Sequence, residues 1–178
     1  MKILIISTSL APDSHSRACA LALRASALKL EERDVEIDLV DLRDHPLPLC
    51  GGDACWADPA VVALQARIQA ADGLALASPV YNYDASAAAK NLIELTGEAW
   101  SDKIVGLICA AGGRSSYMSL MGLANSLMLD FRCVIIPRFV YVTADHFDEA
   151  GALADDDILQ RVDALARALI QMTRALRP

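Results

Sequence analysis

The chain has 178 residues, is 54% hydrophobic and carries a formal net charge of −7. That length and apolar content predict one compact domain over residues 1–178, with a core that needs neither disulfide nor metal staples. The acidic balance argues against nucleic acid or an anionic membrane surface as a partner, and no apolar run reaches the ~18 residues of a membrane span.

Lys2–Ser7 is a near-continuous apolar run, the mark of a strand covered on both faces. It is too short for a secretion signal, and no small-residue cleavage site follows it. Ser14–Glu32 reads as a helix, with Ala18, Leu21, Ala25 and Leu28 at helical spacing. Val35–Val40 alternates apolar and acidic residues, which suits an edge strand with one wetter face. The segment Leu42–Ala57, with Pro46, Pro48, Gly51 and Gly52, is a long loop, and loops of that length are commonly functional.

Asp58-Pro59 opens a helix that runs to Ala71, with Asp as N-cap and Pro at the first helical position. Gly73–Ala77 is a buried strand, Ala85–Trp100 a helix, Ile104–Ala110 a strand and Ser115–Leu129 a helix. Cys133–Val142 is a last strand region interrupted by Pro137, which places it at the opposite edge of the sheet. Asp155-Asp156-Asp157 opens the final helix, where carboxylates suit the positive end of the helix dipole better than they suggest a metal site. Ile158, Val162, Leu165, Leu169, Met172 and Leu176 then form one apolar stripe.

Strands alternating with helices imply a parallel sheet with helices on both faces. The expected fold is a flavodoxin-like three-layer sandwich with five parallel strands in the order 2-1-3-4-5, which puts the two doubtful strands at the edges. In such a sheet ligands sit beyond the carboxyl ends of strands 1, 3 and 4.

Each of those three loops carries candidate binding groups. After strand 1, Ser9, Ser14 and Ser16 cluster at a helix start, where backbone N–H groups and the dipole favour an anion such as a terminal phosphate. One serine would satisfy ordinary capping; three exceed it. After strand 3, Pro79 and Val80 precede Tyr81, Asn82 and Tyr83, which offer flat faces and an amide to a ring system. After strand 4, Gly112 and Gly113 allow close backbone approach to a ligand, and Arg114 follows them.

No Gly-x-Gly-x-x-Gly or P-loop follows strand 1, so a Rossmann dinucleotide site is disfavoured. His15, His45 and His146 are scattered and form no metal spacing, so no metal is expected. Five cysteines without a secretion signal fit reduced thiols in the cytoplasm. Cys50 and Cys55, either side of Gly51-Gly52, read as loop thiols, with a redox pair as the minority reading.

Taken together, the three loops resemble the NADPH-dependent FMN reductase family of flavodoxin-like proteins. Ser9 and Ser14 occupy the two serine places of that family's Gly-Ser-x-Arg-x-x-Ser phosphate motif, and Ser16 extends it as in reductases that supply reduced FMN to monooxygenases. Pro79, Val80, Tyr81 and Asn82 resemble its Pro-x-Tyr-Asn segment, with Lys90-Asn91 as its Lys-Asn pair, and Gly112-Gly113 its Gly-Gly turn. Thr8 and Ala11 stand where the motif has Gly and Arg, leaving Arg17, His15 or Arg114 as replacement cations.

The resemblance implies FMN as cofactor and NADPH or NADH as donor, with hydride passing through FMN to flavin, quinone or another acceptor. No side chain is assigned a catalytic role, because the flavin carries the chemistry. It also implies a homodimer or homotetramer, with Ala85–Trp100 and Leu42–Ala57 as contacts. Trp56 and Trp100 are either anchors of that interface or ordinary core residues. Two other readings of the fold stay open: a flavodoxin-like electron carrier without NAD(P)H turnover, and a flavin-free interaction module.

Overall fold

A computed structural model describes residues 1–176. Seven strands are assigned: β1 (Lys2–Ser7), β2 (Glu36–Asp41), β3 (Gly73–Tyr81), β4 (Asp84–Ala85), β5 (Ile104–Ala111), β6 (Val134–Ile135) and β7 (Val140–Thr143). Five α-helices join them: α1 (His15–Lys29), α2 (Pro59–Ala70), α3 (Ala87–Thr96), α4 (Met121–Phe131) and α5 (Asp156–Leu176). The main sheet is parallel in the order β2-β1-β3-β5-β6, with β7 also pairing with β5. This is the expected flavodoxin-like order, with its fifth strand split into β6 and β7.

The split has a local cause. Ile135 pairs with Val105 and Val140 with Ile108, so five chain steps on the edge strand oppose three on β5. Pro137 lies in the excess and Arg138 adopts φ 63°, so the edge bulges outward instead of pairing throughout.

Alternate residues of the central strands feed two cores. Leu4, Ile6, Leu74 and Leu76 face α2, α3 and α4, while Ile3, Ile5, Ala75 and Ala77 face α1 and α5. On the second face α5 lies close to the sheet at the glycine of β5. A Cβ on Gly106 would come within 2.9 Å of Leu165 Cδ1. The α5 stripe packs here from Ile158 to Met172, but Leu176 at its end is exposed.

Several expected boundaries shift. The third strand does not stop at Ala77; it runs on to Tyr81 and turns back as a hairpin into β4. Pro79 is tolerated there because β1 ends at Ser7, opposite Ala77, leaving no β1 ladder partner beside it. The third helix therefore starts at Ala87, not Ala85, with the Ser86 hydroxyl capping it through Ala89 N–H at 3.2 Å. It passes into a 3-10 turn at Gly97, where φ is 33°. The fourth helix starts at Met121 instead of Ser115, because Ser116 bonds the Tyr141 hydroxyl and caps a turn through Ser119. Trp100 is fully buried, its indole N–H donating to Thr96 Oγ1 at 2.7 Å, so it is a core residue and not an interface anchor.

The loop Leu42–Ala57 contains two 3-10 turns and is clamped to α3 by one side chain. The Asn91 amide donates to Pro48 O at 2.9 Å and its carbonyl accepts from Cys50 N–H at 2.8 Å. No helix among the described residues is long and apolar enough to cross a membrane.

Candidate functional site

The carboxyl ends of β1, β3 and β5 converge on a cleft of about 190 Å³. Ser9, Ser14 and Ser16 line it from the first loop, Pro79, Val80 and Tyr81 from the second, and Gly112 from the third. Asn82, Gly113 and Arg114 border the cleft without lining it.

The first loop is held from behind by buried hydroxyls. Thr8 Oγ1 lies 3.3 Å from Ala77 O and 3.4 Å from Ser86 Oγ, while Ser86 N–H donates to Ser78 Oγ at 3.4 Å. Ser9 Oγ accepts from Ala11 N–H at 3.2 Å, which folds the chain over toward α1. Ser14 is the N-cap of α1, accepting from Arg17 N–H at 3.1 Å, and its hydroxyl lies 3.0 Å from Ser16 Oγ. The next two amides, of His15 and Ser16, find no acceptor among the described residues. A helix N-terminus in that condition favours an anion.

None of the three replacement cations is free for that anion. Arg17 Nε pairs with Asp41 at 2.9 Å and Arg114 with Asp145 at 2.6 Å. The His15 ring stacks on Phe147, with centroids 4.0 Å apart. Asp13, exposed, adds a carboxylate at the rim. The donor set here is therefore amides and hydroxyls.

The second loop is a two-residue hairpin turn, with Tyr81 opposite Asp84. Asn82 and Tyr83 both take left-handed conformations, at φ 51° and 62°, as a type I′ turn requires. Tyr81 and Tyr83 are exposed on it, their rings uncommitted to the core.

The third loop is pinned from β7. The Tyr141 hydroxyl donates to Gly113 O and lies 2.8 Å from Ser116 Oγ. Asp145 accepts from Thr143 Oγ1 and from Arg114; these contacts hold its carboxyl well below the usual range. Nothing within 4 Å would meet a Cβ on Gly112 or Gly113, so space lies open in front of this turn. Tyr141, Ala144 and Asp145 were missed in the sequence because nothing local ties them to the Gly-Gly turn. Only the Thr143–His146 capping pattern was a readable signal, and it marks a turn, not a site.

These features fit an FMN: unpaired helix-start amides beside Ser14 and Ser16 for a phosphate, an open Gly112 turn, and aromatic side chains from the hairpin opposite. They would hold the group by neutral donors, without a phosphate-binding arginine.

Comparison with known proteins agrees. Residues 1–147 match the family model for NADPH-dependent FMN reductase. An NAD(P)H-dependent FMN reductase of Pseudomonas aeruginosa is 30% identical over 184 residues, covering 99% of this chain and 97% of its own. An NAD(P)H:quinone oxidoreductase of Solanum tuberosum is 31% identical over 145 residues, covering 76% of this chain and 74% of its own. Among solved structures, a flavoenzyme NAD(P)H:(acceptor) oxidoreductase from Paracoccus denitrificans superposes with a TM-score of 0.78 at 22% identity, over 98% of both chains. The chain belongs to the NADPH-dependent FMN reductase family, and is an NAD(P)H-dependent flavin oxidoreductase on a flavodoxin-like fold.

Proposed function

We propose that this protein reduces FMN with NAD(P)H and passes the electrons to a free flavin, a quinone or another small acceptor. The observation that carries the reading is the convergence of three separate loops on one cleft at the switch point of the sheet. When bound there, FMN supplies the hydride-accepting centre. The chain's own part is binding and orientation. Ser14, Ser16 and the amides of His15 and Ser16 hold the phosphate, with Ser9 shaping the loop. Pro79, Val80, Tyr81 and Asn82 flank the ribityl chain and one side of the ring. Gly112 and Gly113 present backbone to the ring edge, and Arg114 braces that turn through Asp145.

Residues 1–178 act as one flavin-binding domain in this reading, in the reducing cytoplasm that the free cysteines favour. In this reading a homodimer or homotetramer forms through the loop 42–57 and α3. A second cavity of about 710 Å³ lies between them, and Leu10 and Leu49 stand exposed on it. A monooxygenase that consumes reduced FMN is the partner class suggested by Ser16. The deciding experiment is titration of the apoprotein with FMN, then anaerobic addition of NADPH or NADH while the visible flavin band is followed. Binding with rapid bleaching supports the reductase. Binding without bleaching favours an electron carrier, and no binding favours a flavin-free interaction module.

A further inference from the structure

The split edge strand opens a groove of about 800 Å³ between α4 and the start of α5. It is larger than the flavin cleft, and falls in the range of small-molecule sites. Its walls are soft and apolar, with Met118, Met121, Met128 and Phe139. Two cations, Arg138 and Arg161, stand on it, and among the described residues neither is paired with a carboxylate or hydrogen-bonded to another group. Among the described residues, the flavin cleft has no such free cation. One end of the groove reaches Arg114, Tyr141 and Thr143, the residues that brace the Gly112-Gly113 turn and the 144–146 segment beside the cleft.

We propose that this groove seats the adenosine-phosphate half of the nicotinamide donor. The proposal rests on the reductase reading above. Arg138 and Arg161 take the phosphates as charge-assisted hydrogen bonds, and the exposed Tyr117 ring and the methionines receive the adenine face. Two carboxylates also face the groove. Asp155 Oδ1 is committed to capping α5 through Ile158 N–H at 2.9 Å, and Asp157, at the rim, is placed to accept from ribose hydroxyls instead of opposing the phosphates. The nicotinamide end then extends past Arg114 toward the ring edge. Pro137, Arg138 and Phe139, the segment where the edge strand breaks its pairing, supply one wall of the site.

The test uses the full chain and two variants, Arg138→Gly and Arg161→Ala. Glycine at 138 suits the left-handed backbone there, so that substitution does not threaten the fold. Calorimetry with adenosine 2′,5′-bisphosphate reads the groove without any flavin step. Measurable binding by the wild type, weakened about tenfold or more in each variant, is expected. The KM for the donor should rise in parallel while FMN affinity stays within about twofold. Absence of binding by both the bisphosphate and ADP, the corresponding fragment of NADH, or equal binding by wild type and variants, would overturn the groove assignment even in a protein that reduces FMN. Conversely, bisphosphate bound through Arg138 and Arg161 with no flavin bound or reduced would keep the groove as a nucleotide site and remove the reductase reading.

Discussion

The Tyr141 hydroxyl donates to the carbonyl oxygen of Gly113, so a side chain on the edge strand fixes the backbone turn that borders the candidate flavin cleft. The same hydroxyl meets Ser116 Oγ at 2.8 Å and accepts from Ser116 N–H at 3.2 Å, tying both ends of the loop to one point. Glycines leave that turn conformationally free, and this bond restricts it. Tyr141→Phe keeps the ring and removes the hydroxyl with its bonds to Gly113 and Ser116, each worth about 1 kcal/mol. FMN affinity should fall about fivefold, read by flavin fluorescence titration; an unchanged value would mean the turn is set elsewhere.

The phosphate assignment has its own test. The double variant Ser9→Ala, Ser14→Ala removes two hydroxyls from the first loop and the N-cap of α1. Loss of the cap alone costs about 0.5–2 kcal/mol of stability. FMN affinity should drop about tenfold or more, through the charge-assisted hydrogen bond of Ser14 to the phosphate and the loop shape that Ser9 holds. Circular dichroism and thermal melts separate that loss from unfolding, and unaltered affinity in a folded variant would defeat the assignment.

Gly73 lies under Thr173 of α5, and an added Cβ would press on Thr173 Oγ1 and, at 2.9 Å, on Ile3 Cδ1. Gly73→Ala is therefore expected to destabilise the fold by about 1–3 kcal/mol, as overpacking does. A urea melt with an unchanged slope and a lower midpoint is the predicted signature.

Asp41 sets an acid limit on stability. Burial opposes its ionisation, but hydrogen bonds from the Arg43 side chain and amide, with the charges of Arg43 and Arg17, outweigh it and hold its pKa below the usual value. The folded pKa is the lower one, so the unfolded chain takes up the proton first as pH falls. The stabilisation is fully present above the unfolded value of ~3.9 and is lost as pH falls through the folded one. Asp41→Asn should lower stability at neutral pH and flatten its decline below about pH 4, measured by melts across the acid range.

The cysteines divide by burial. Burial pushes the thiols of Cys19 and Cys109 up to about 12 and that of Cys133 up to about 11, and Cys55 is covered. Cys50 is half-buried and also raised, with burial the main cause. A thiol-disulfide reagent at about pH 8 should therefore label one site promptly in the folded protein and all five after denaturation. Cys50→Ser should abolish the prompt phase; its survival would point to opening of the core.

Sequence alone determined the layer architecture, the strand order and which loops meet beyond the strand ends. Short unbroken apolar runs such as Ile3–Ile6, alternating with helical segments, suit strands covered on both faces, and the 3.6-residue stripe of α5 suits a helix docked on one. Ser9, Ser14 and Ser16 were legible as a group because three hydroxyls at one helix start exceed what capping needs. Tertiary structure decided what lies far apart in the chain. That Arg17 is spent on Asp41, that Arg114 braces Asp145 and that Tyr141 holds Gly113 are facts of spatial adjacency across 24 to 31 positions, written in no local pattern. It also decided where helices begin. The hairpin at Asp84–Ala85 and the Ser116–Tyr141 bonds take residues with good helical spacing, because long-range hydrogen bonds outweigh the few tenths of a kcal/mol by which local propensity favours a helix.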